Sequence, residues 1–446
     1  MKYAEIIYEI ERRLENGEIR GGQRLPSIRE MKERHSCSKS TVIRAYAELE
    51  KRHLVYAIPQ SGYYAVVKKP ETERPPVRAF LDFSAPSPDP GLFPYLDFQH
   101  CLNKAIDMYR SHLFAYGTPQ GLPSLLNVLV RHLAGYQVFA RPEQLAVTSG
   151  VQQALSILAA MPSPNGRRAV LLEQPSYHLF IQLLACHGIP AVGIARTEDG
   201  IDLDRLEHLF RTADIKLFYT TPRFHNPLGT SYSESTKKAI AELAKRYGVY
   251  IAEDDYLADL ETDTKSDPIH AYAPTHVVYL KSFSKILFPG LRVGAVVLPP
   301  ELRETFSRYK QLSDIDSSML SQAALEIYIQ NGMFERRKQK IVSAYRSRML
   351  RLIRALDDCN DIPDVRHARL FSGVHTHLEL PRRLPVPALL NRLNKKGIIL
   401  KEIEPSFIAG FEKRSILKLS ITQVEEEQVE DGIRAVFSEI KRFPVR

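Results

Sequence analysis

Residues 277–292 read VVYLKSFSKILFPGLR. Val277, Val278, Tyr279 and Leu280 form a short continuous apolar run, the pattern of a strand buried on both faces. A serine-bearing turn follows, then Lys285, then Arg292. A lysine just past the end of a buried strand lies where α/β sheets place their ligands. Partial burial and nearby positive charge can strip its proton, leaving an amine that attacks a carbonyl and forms a Schiff base. Ser282, Ser284 and Arg292 suit an adjacent phosphate. The stretch therefore predicts that Lys285 holds pyridoxal 5'-phosphate. A solvated lysine after a strand would give the same letters, so the rest of the chain has to decide.

Working outward, the chain from about residue 140 alternates apolar strands with amphipathic helices. That is the pattern of a mostly parallel sheet covered on both faces. LAVT leads to Ser149, Gly150, Val151 and Gln152, and then a helix. AVLL leads to Glu173 and on to Tyr177, KLFYTT leads to Pro222 and Asn226, and VYIAE leads to Asp254, Asp255 and Tyr256. Five strand ends thus deliver polar groups to one rim, as a ligand site requires. Asp254 is the carboxylate to keep the pyridine nitrogen protonated. Asn226 and Tyr256 can donate to the phenolic oxygen, and Tyr177 can stack on the ring. The backbone of Gly150, Val151 and Gln152, with Ser282, Ser284 and Arg292, can receive the phosphate. Singly, each group also reads as a helix cap, a turn or a core aromatic. Their order along the chain speaks for the site.

The chain has 446 residues, 44% hydrophobic and 25% charged, which suits a globular protein of more than one domain. No apolar run reaches membrane-spanning length, and the N-terminus lacks a signal-peptide pattern. Cys37, Cys101, Cys186 and Cys359 are far apart and make no metal or redox spacing, so free thiols in a cytoplasmic protein are expected. The net charge of +9 is uneven. Residues 1–69 hold six Lys and eight Arg against nine Glu and no Asp. A basic module on a near-neutral body is the footprint of nucleic-acid binding.

Within that module, Tyr3, Ile6, Ile7, Ile10 and Leu14 recur at helical spacing, and Asn16-Gly17 ends the helix. Ser27 and Glu30 have capping-box spacing and start a second helix. Ser38 is an N-cap candidate for a third, whose Val42, Ala45, Tyr46 and Leu49 make one apolar stripe. Lys39, Ser40, Thr41 and Arg44 lie opposite, as on the recognition helix of a helix-turn-helix. LVYAIPQSGYYAVV then reads as two strands around a turn at Pro59–Gly62, a wing. Residues 69–79, KPETERPPVRA, are a polar, proline-bearing linker, and residues from 80 onward begin an extended arm on the large domain.

The runs GxRLPSxR, SKSTVxRAYxxL and SGYY between residues 21 and 64 resemble the winged-helix domain of GntR-family regulators. That resemblance implies DNA contacts by Arg24, Arg29, Ser38, Lys39, Ser40, Thr41, Arg44, Ser61 and Gly62. The stretches YGTPQGLPSLL (116–126), TSGVQQAL (148–155), EQPSY (173–177), TTPRFHNPLG (220–229), EDDY (253–256) and SFSKILFPGLRVG (282–294) resemble type I fold aminotransferases. This implies residues 80–446 form a pyridoxal phosphate domain, with its small-domain part from about 330. It also implies that Tyr116 reaches a partner subunit's cofactor phosphate in a homodimer. Where that family usually places an arginine for the substrate carboxylate, this chain has Lys418. Lysine cannot make the bidentate fork, so Arg223 or Arg414 is a possible substitute.

A winged helix over residues 1–68 joined to such a domain resembles the MocR subgroup of bacterial transcription regulators. The resemblance implies an operator-binding homodimer whose large domain senses the cofactor or an amino compound through Lys285, with Lys418 as effector contact. A working aminotransferase carrying a DNA-binding domain is the alternative. A large domain serving only as a dimerisation scaffold is a third reading, disfavoured by the intact set of Lys285, Asp254, Asn226 and Arg292.

Overall fold

The structure, a computed structural model, describes residues 2–52, 54–58, 61–65, 80–263 and 266–443. The expected linker at 69–78, with Ala79, and Pro59 of the wing turn lie outside the described residues. The chain divides into two units, Met1–Arg78 and Ala79–Arg446.

In the first unit, α1 (Lys2–Glu15), α2 (Ile28–Arg34) and α3 (Lys39–Lys51) precede a hairpin of β1 (Val55–Ile58) and β2 (Gly62–Ala65). The sequence signals act as caps. Ser27 accepts from the Glu30 N–H while the Glu30 carboxylate accepts from the Ser27 N–H, a complete capping box. Ser38 accepts from the Thr41 N–H at the start of α3. Val42, Ala45, Tyr46 and Leu49 are fully buried against Ile6, Ile7 and Ile10.

The second unit is built on an eight-stranded sheet. In chain order the strands are β3 (Leu145–Thr148), β4 (Ala169–Gln174), β5 (Ala191–Thr197), β6 (Gly200–Ile201), β7 (Ile215–Thr220), β8 (Tyr250–Asp254), β9 (Val277–Ser282) and β10 (Gly294–Val297). Their spatial order is β3-β10-β9-β8-β7-β4-β5-β6. The pairs from β9 through β8, β7 and β4 to β5 are all parallel, and β10 is antiparallel to both its neighbours. Every residue of β4, β7, β8 and β9 is buried, which is why these runs are mostly apolar rather than alternating. Leu172, Tyr219, Ala252 and Leu280 serve the core on one face. Leu171, Phe218, Ile251 and Val277 serve the core on the other.

A smaller four-stranded sheet orders Arg366–His367, β11 (His375–Glu379), β12 (Ile416–Ser420) and Lys401–Glu402 side by side. Helices Met333–Cys359 and Val429–Ile440 pack with its apolar face in the largest core cluster. The arm expected after the linker does more than lie on the surface. Leu81–Asp82 pairs with Ile398–Ile399, the Ser420 N–H donates to Phe83 O (2.7 Å), and the Ser420 and Thr422 hydroxyls donate to Ala85 O. Residues near the start of this unit are thereby stitched to its C-terminal sheet.

Candidate functional site

Parallel strands end together, so the loops after β3, β4, β7, β8 and β9 converge on one edge. They meet the polar face of the small sheet and the arm around a cavity of about 570 Å³. That volume suits a ligand site, for which roughly 300–1,000 Å³ is usual. Gly150, Val151, Gln152, Tyr177, Asn226, Asp254, Tyr256, Ser282, Ser284, Lys285, Arg292 and Lys418 all border it. Tyr116 does not; it is 82% exposed.

At the floor, Asp254 ends β8. Its Oδ2 accepts from the Tyr219 hydroxyl at 2.8 Å. Its Oδ1 is buried and has no hydrogen-bond partner among the described residues. Burial pushes the carboxyl up to about 7, against the pull of the Tyr219 hydrogen bond. An unpartnered acceptor at the bottom of a cavity fits a cationic N–H donor such as a pyridinium. Tyr177 also borders the cavity, and desolvation, with the Asp254 charge adding, raises its hydroxyl to about 12, so it stays neutral.

At one end, α4 (Val151–Ala160) begins at Gly150 without a side-chain cap. Its first-turn N–H groups have no partner inside the helix and can serve an anion. Gly150 has φ +81, and a Cβ there would lie 3.1 Å from the Arg292 guanidinium. Arg292 donates to Ser149 O at 2.6 Å, which ties it to this helix start. The Ser284 N–H donates to Ser282 Oγ at 3.3 Å. Backbone N–H groups, two hydroxyls and a guanidinium fit a phosphate.

Lys285 lies between these groups and the arm, its ammonium donating to Pro86 O. Desolvation lowers it to about 8. On the opposite side Lys418 donates to Asn226 Oδ1 at 2.8 Å. Desolvation first, then the Lys285 charge, lowers Lys418 to about 7. With Asn226 Oδ1 taken, its amide N–H groups are the ones left for a ligand. Tyr256 borders the cavity, but its hydroxyl proton goes to Phe224 O at 2.9 Å, so it is not the free donor that its position suggested.

The substitutes considered for the missing arginine are both committed elsewhere. Arg223 is buried in an ion pair with Asp255 and donates to Ser266 O. Arg414 donates to Arg196 O at 2.7 Å and approaches Glu379. Glu173, one of the strand-end groups, forms a buried pair with Arg196 at 2.7 Å and accepts from Thr220 and Tyr232. Burial alone would raise it, yet Arg196 and His225 hold its carboxyl at about 2. Its role is to brace the β4–β7 edge.

Several lining residues were not picked out from the sequence. Tyr219 lies inside an apolar strand and reads as core. His375 and Lys401 reach the cavity through the pairing of distant strands. The arm residues Ser84, Ala85, Pro86 and Ser87 also form part of the wall.

In the first unit, Arg24, Arg29, Ser38, Lys39, Ser40 and Arg44 are exposed, and Thr41 and Ser61 are half-buried. Ser38 caps α3 and hydrogen-bonds Ser40 and Thr41. Arg44 packs its guanidinium over the Tyr3 ring at 4.8 Å. Arg24 bridges to Tyr64, and its guanidinium would lie 3.3 Å from a Cβ at Gly62. Arg24 thus lies against the hairpin, and Arg44 lies against α1.

Residues 91–436 match the aminotransferase class I and II family, and residues 2–64 match the gntR family of bacterial regulatory proteins. The HTH-type transcriptional regulator YcxD of Bacillus subtilis is 50% identical over 444 residues, 98% of this chain and 100% of that one. The 2-aminoadipate transaminase of Thermus thermophilus is 28% identical over 376 residues, 83% of this chain and 91% of that one. Kynurenine aminotransferase of Pyrococcus horikoshii, solved in complex with PMP, superposes with a TM-score of 0.76 at 25% identity, covering 82% of this chain and 92% of that one. The chain therefore belongs to the MocR-type HTH transcription regulators, in which a GntR domain is joined to a class I and II aminotransferase domain.

Proposed function

We propose that the large domain binds pyridoxal 5'-phosphate at Lys285 and answers an amino compound, and that this answer changes operator binding by the winged helix. The observation that carries the reading is the pairing of Lys285 with the unpartnered Asp254 Oδ1 in one cavity. When bound, the cofactor supplies an electrophilic aldehyde and a pyridine ring able to take up electron density. Asp254 would accept a hydrogen bond from the ring N–H, Asn226 would donate to the phenolic oxygen, and Tyr177 would cover the ring. The α4 N-terminus, Ser282, Ser284 and Arg292 hold the phosphate. Lys285, with its amine pKa lowered toward neutrality, is the nucleophile. Lys418 attracts the acid group of the effector.

The working unit in this proposal is a cytoplasmic homodimer. Tyr95, Leu96, Met108, Phe114, Tyr116 and Leu312 are exposed large apolar side chains of the second unit, the kind of surface a partner copy covers. Tyr116 belongs to that set, in keeping with service to the partner's cofactor phosphate.

The test is a spectral titration of the purified chain with pyridoxal phosphate. Wild type gains the visible absorbance of a lysine-bound cofactor, and Lys285→Ala does not. Retention of that absorbance in Lys285→Ala would remove the assignment. On the DNA side, Arg44→Ala should weaken binding to the chain's own upstream region and lower the salt slope by about 0.9. An unchanged affinity and slope would reject the recognition surface.

A further inference from the structure

The small sheet has two unlike faces. Leu378, Leu417 and Leu419 turn into the main apolar core. The alternate residues turn the other way. His375 is opposite Ser420, while His377 and Lys401 are each opposite Lys418 on its two flanks. His375, Ser420, Lys418 and Lys401 border the cavity. Lys401 and Lys418 therefore stand across from each other on one face of an antiparallel pair, Cβ atoms about 5 Å apart.

Like charges in that position destabilise a sheet. Among the described residues neither lysine has a carboxylate partner. Glu402, opposite Leu417, also borders the cavity, and among the described residues it forms an ion pair with neither lysine. The two lysines also differ in depth. Lys418 is half-buried on a central strand with its amine on Asn226, beside the cofactor groups. Lys401 is exposed on the edge strand, at the mouth. A carboxylate at Asn226 satisfies the inner lysine and leaves the outer one for a second acid.

We propose that Lys401 is a specificity-determining residue, taking the far acid group of a dicarboxylic amino compound whose near carboxylate rests on Lys418. This rests on the reading of the cavity as a cofactor and effector site. It explains how a wall without an arginine fork can still select an anionic effector: two point charges spaced along the ligand replace two donors on one planar group.

The test uses the full chain loaded with pyridoxal phosphate, titrated by calorimetry with L-glutamate and L-2-aminoadipate against their neutral counterparts L-norvaline and L-norleucine. Wild type should bind the dicarboxylic compounds about tenfold more tightly or better, and Lys401→Met should bring the ratio to about one. Lys401→Glu should move the preference toward L-ornithine. Retained cofactor absorbance shows that each variant folds. A second readout needs no loaded site: glutarate, but not valerate, should raise the melting temperature of the cofactor-free chain, and Lys401→Met should abolish the difference. Equal weakening of charged and neutral compounds by Lys401→Met, or a wild type indifferent to the second acid, overturns the proposal. A wild type that takes up no cofactor shows the failure of the underlying reading before any amino acid is added.

Discussion

The two ends of the cavity are made differently. The cofactor end is assembled from the ends of neighbouring strands in one sheet, braced by the buried Tyr219 on Asp254 and by the exposed Arg292 on Ser149 O. The other end is one face of a separate small sheet, where Lys418 and Lys401 stand opposite each other. One end is fixed by the strand ends and by the start of α4. The other is set by a few side chains projecting from a strand. In the proposed function the first end would provide common chemistry, and the small-sheet wall would provide choice.

Three perturbations would break or sharpen this contrast. The largest effect belongs to the cofactor end. Asp254→Ala removes a charge-assisted hydrogen bond of about 1.5–3 kcal/mol, so pyridoxal phosphate affinity should fall roughly 10- to 100-fold. Equilibrium dialysis of the variant checks this, and unaltered affinity would mean that the carboxylate serves only Tyr219. A smaller effect is expected at the wall. Lys418→Arg restores a bidentate donor and should tighten binding of monocarboxylic amino acids up to about tenfold, while leaving cofactor uptake as it was. Were both affinities to move together, the two ends would not be separable.

The third effect is on pH dependence, and its sign differs between the ends. Asp254 has a folded pKa of about 7, above its ordinary 3.8, so the folded chain holds the extra proton between those values. Its contribution to stability is present at low pH and lost as pH rises through about 7. Lys418 has a folded pKa of about 7, below its ordinary 10.5, so there the unfolded chain holds the extra proton. Its contribution grows as pH rises from about 7 toward 10.5. In urea midpoints of the cofactor-free chain, Asp254→Asn should flatten a decline on the acid side. Lys418→Met should flatten a rise on the alkaline side. Each slope is at most about 1.4 kcal/mol per pH unit. Identical profiles for wild type and variants would show that neither group is desolvated as described.

The same contrast explains what could be read from the amino-acid sequence. A buried parallel strand is a continuous apolar run, so the polar residues just beyond it stand out. Asp254, Lys285 and the Gly150 turn were legible for that reason. So were the capping box of Ser27 and Glu30 and the stripe on α3, because both depend on spacings of three or four residues. Tyr219 was not, since a polar tip inside an apolar strand leaves no pattern. Lys401 was not, because its strand has two residues and gains meaning only opposite Lys418. That Arg223 and Arg414, offered as possible substitutes for the arginine, are engaged elsewhere was not legible, because their partners, Asp255 and the Arg196 carbonyl, are fixed by tertiary pairing.

The glycines at the phosphate end bear on how such a protein can diversify. A Cβ at Gly294 would lie 3.0 Å from the backbone of Gly150 and Val151, and Gly150 itself has φ +81. Neither position can drift to another residue without displacing the helix start. Lys401, on an exposed edge, carries no such restriction. If the proposed function holds, a duplicated gene can therefore explore new effectors by substitution along that edge while the Gly150 and Gly294 turn stays locked.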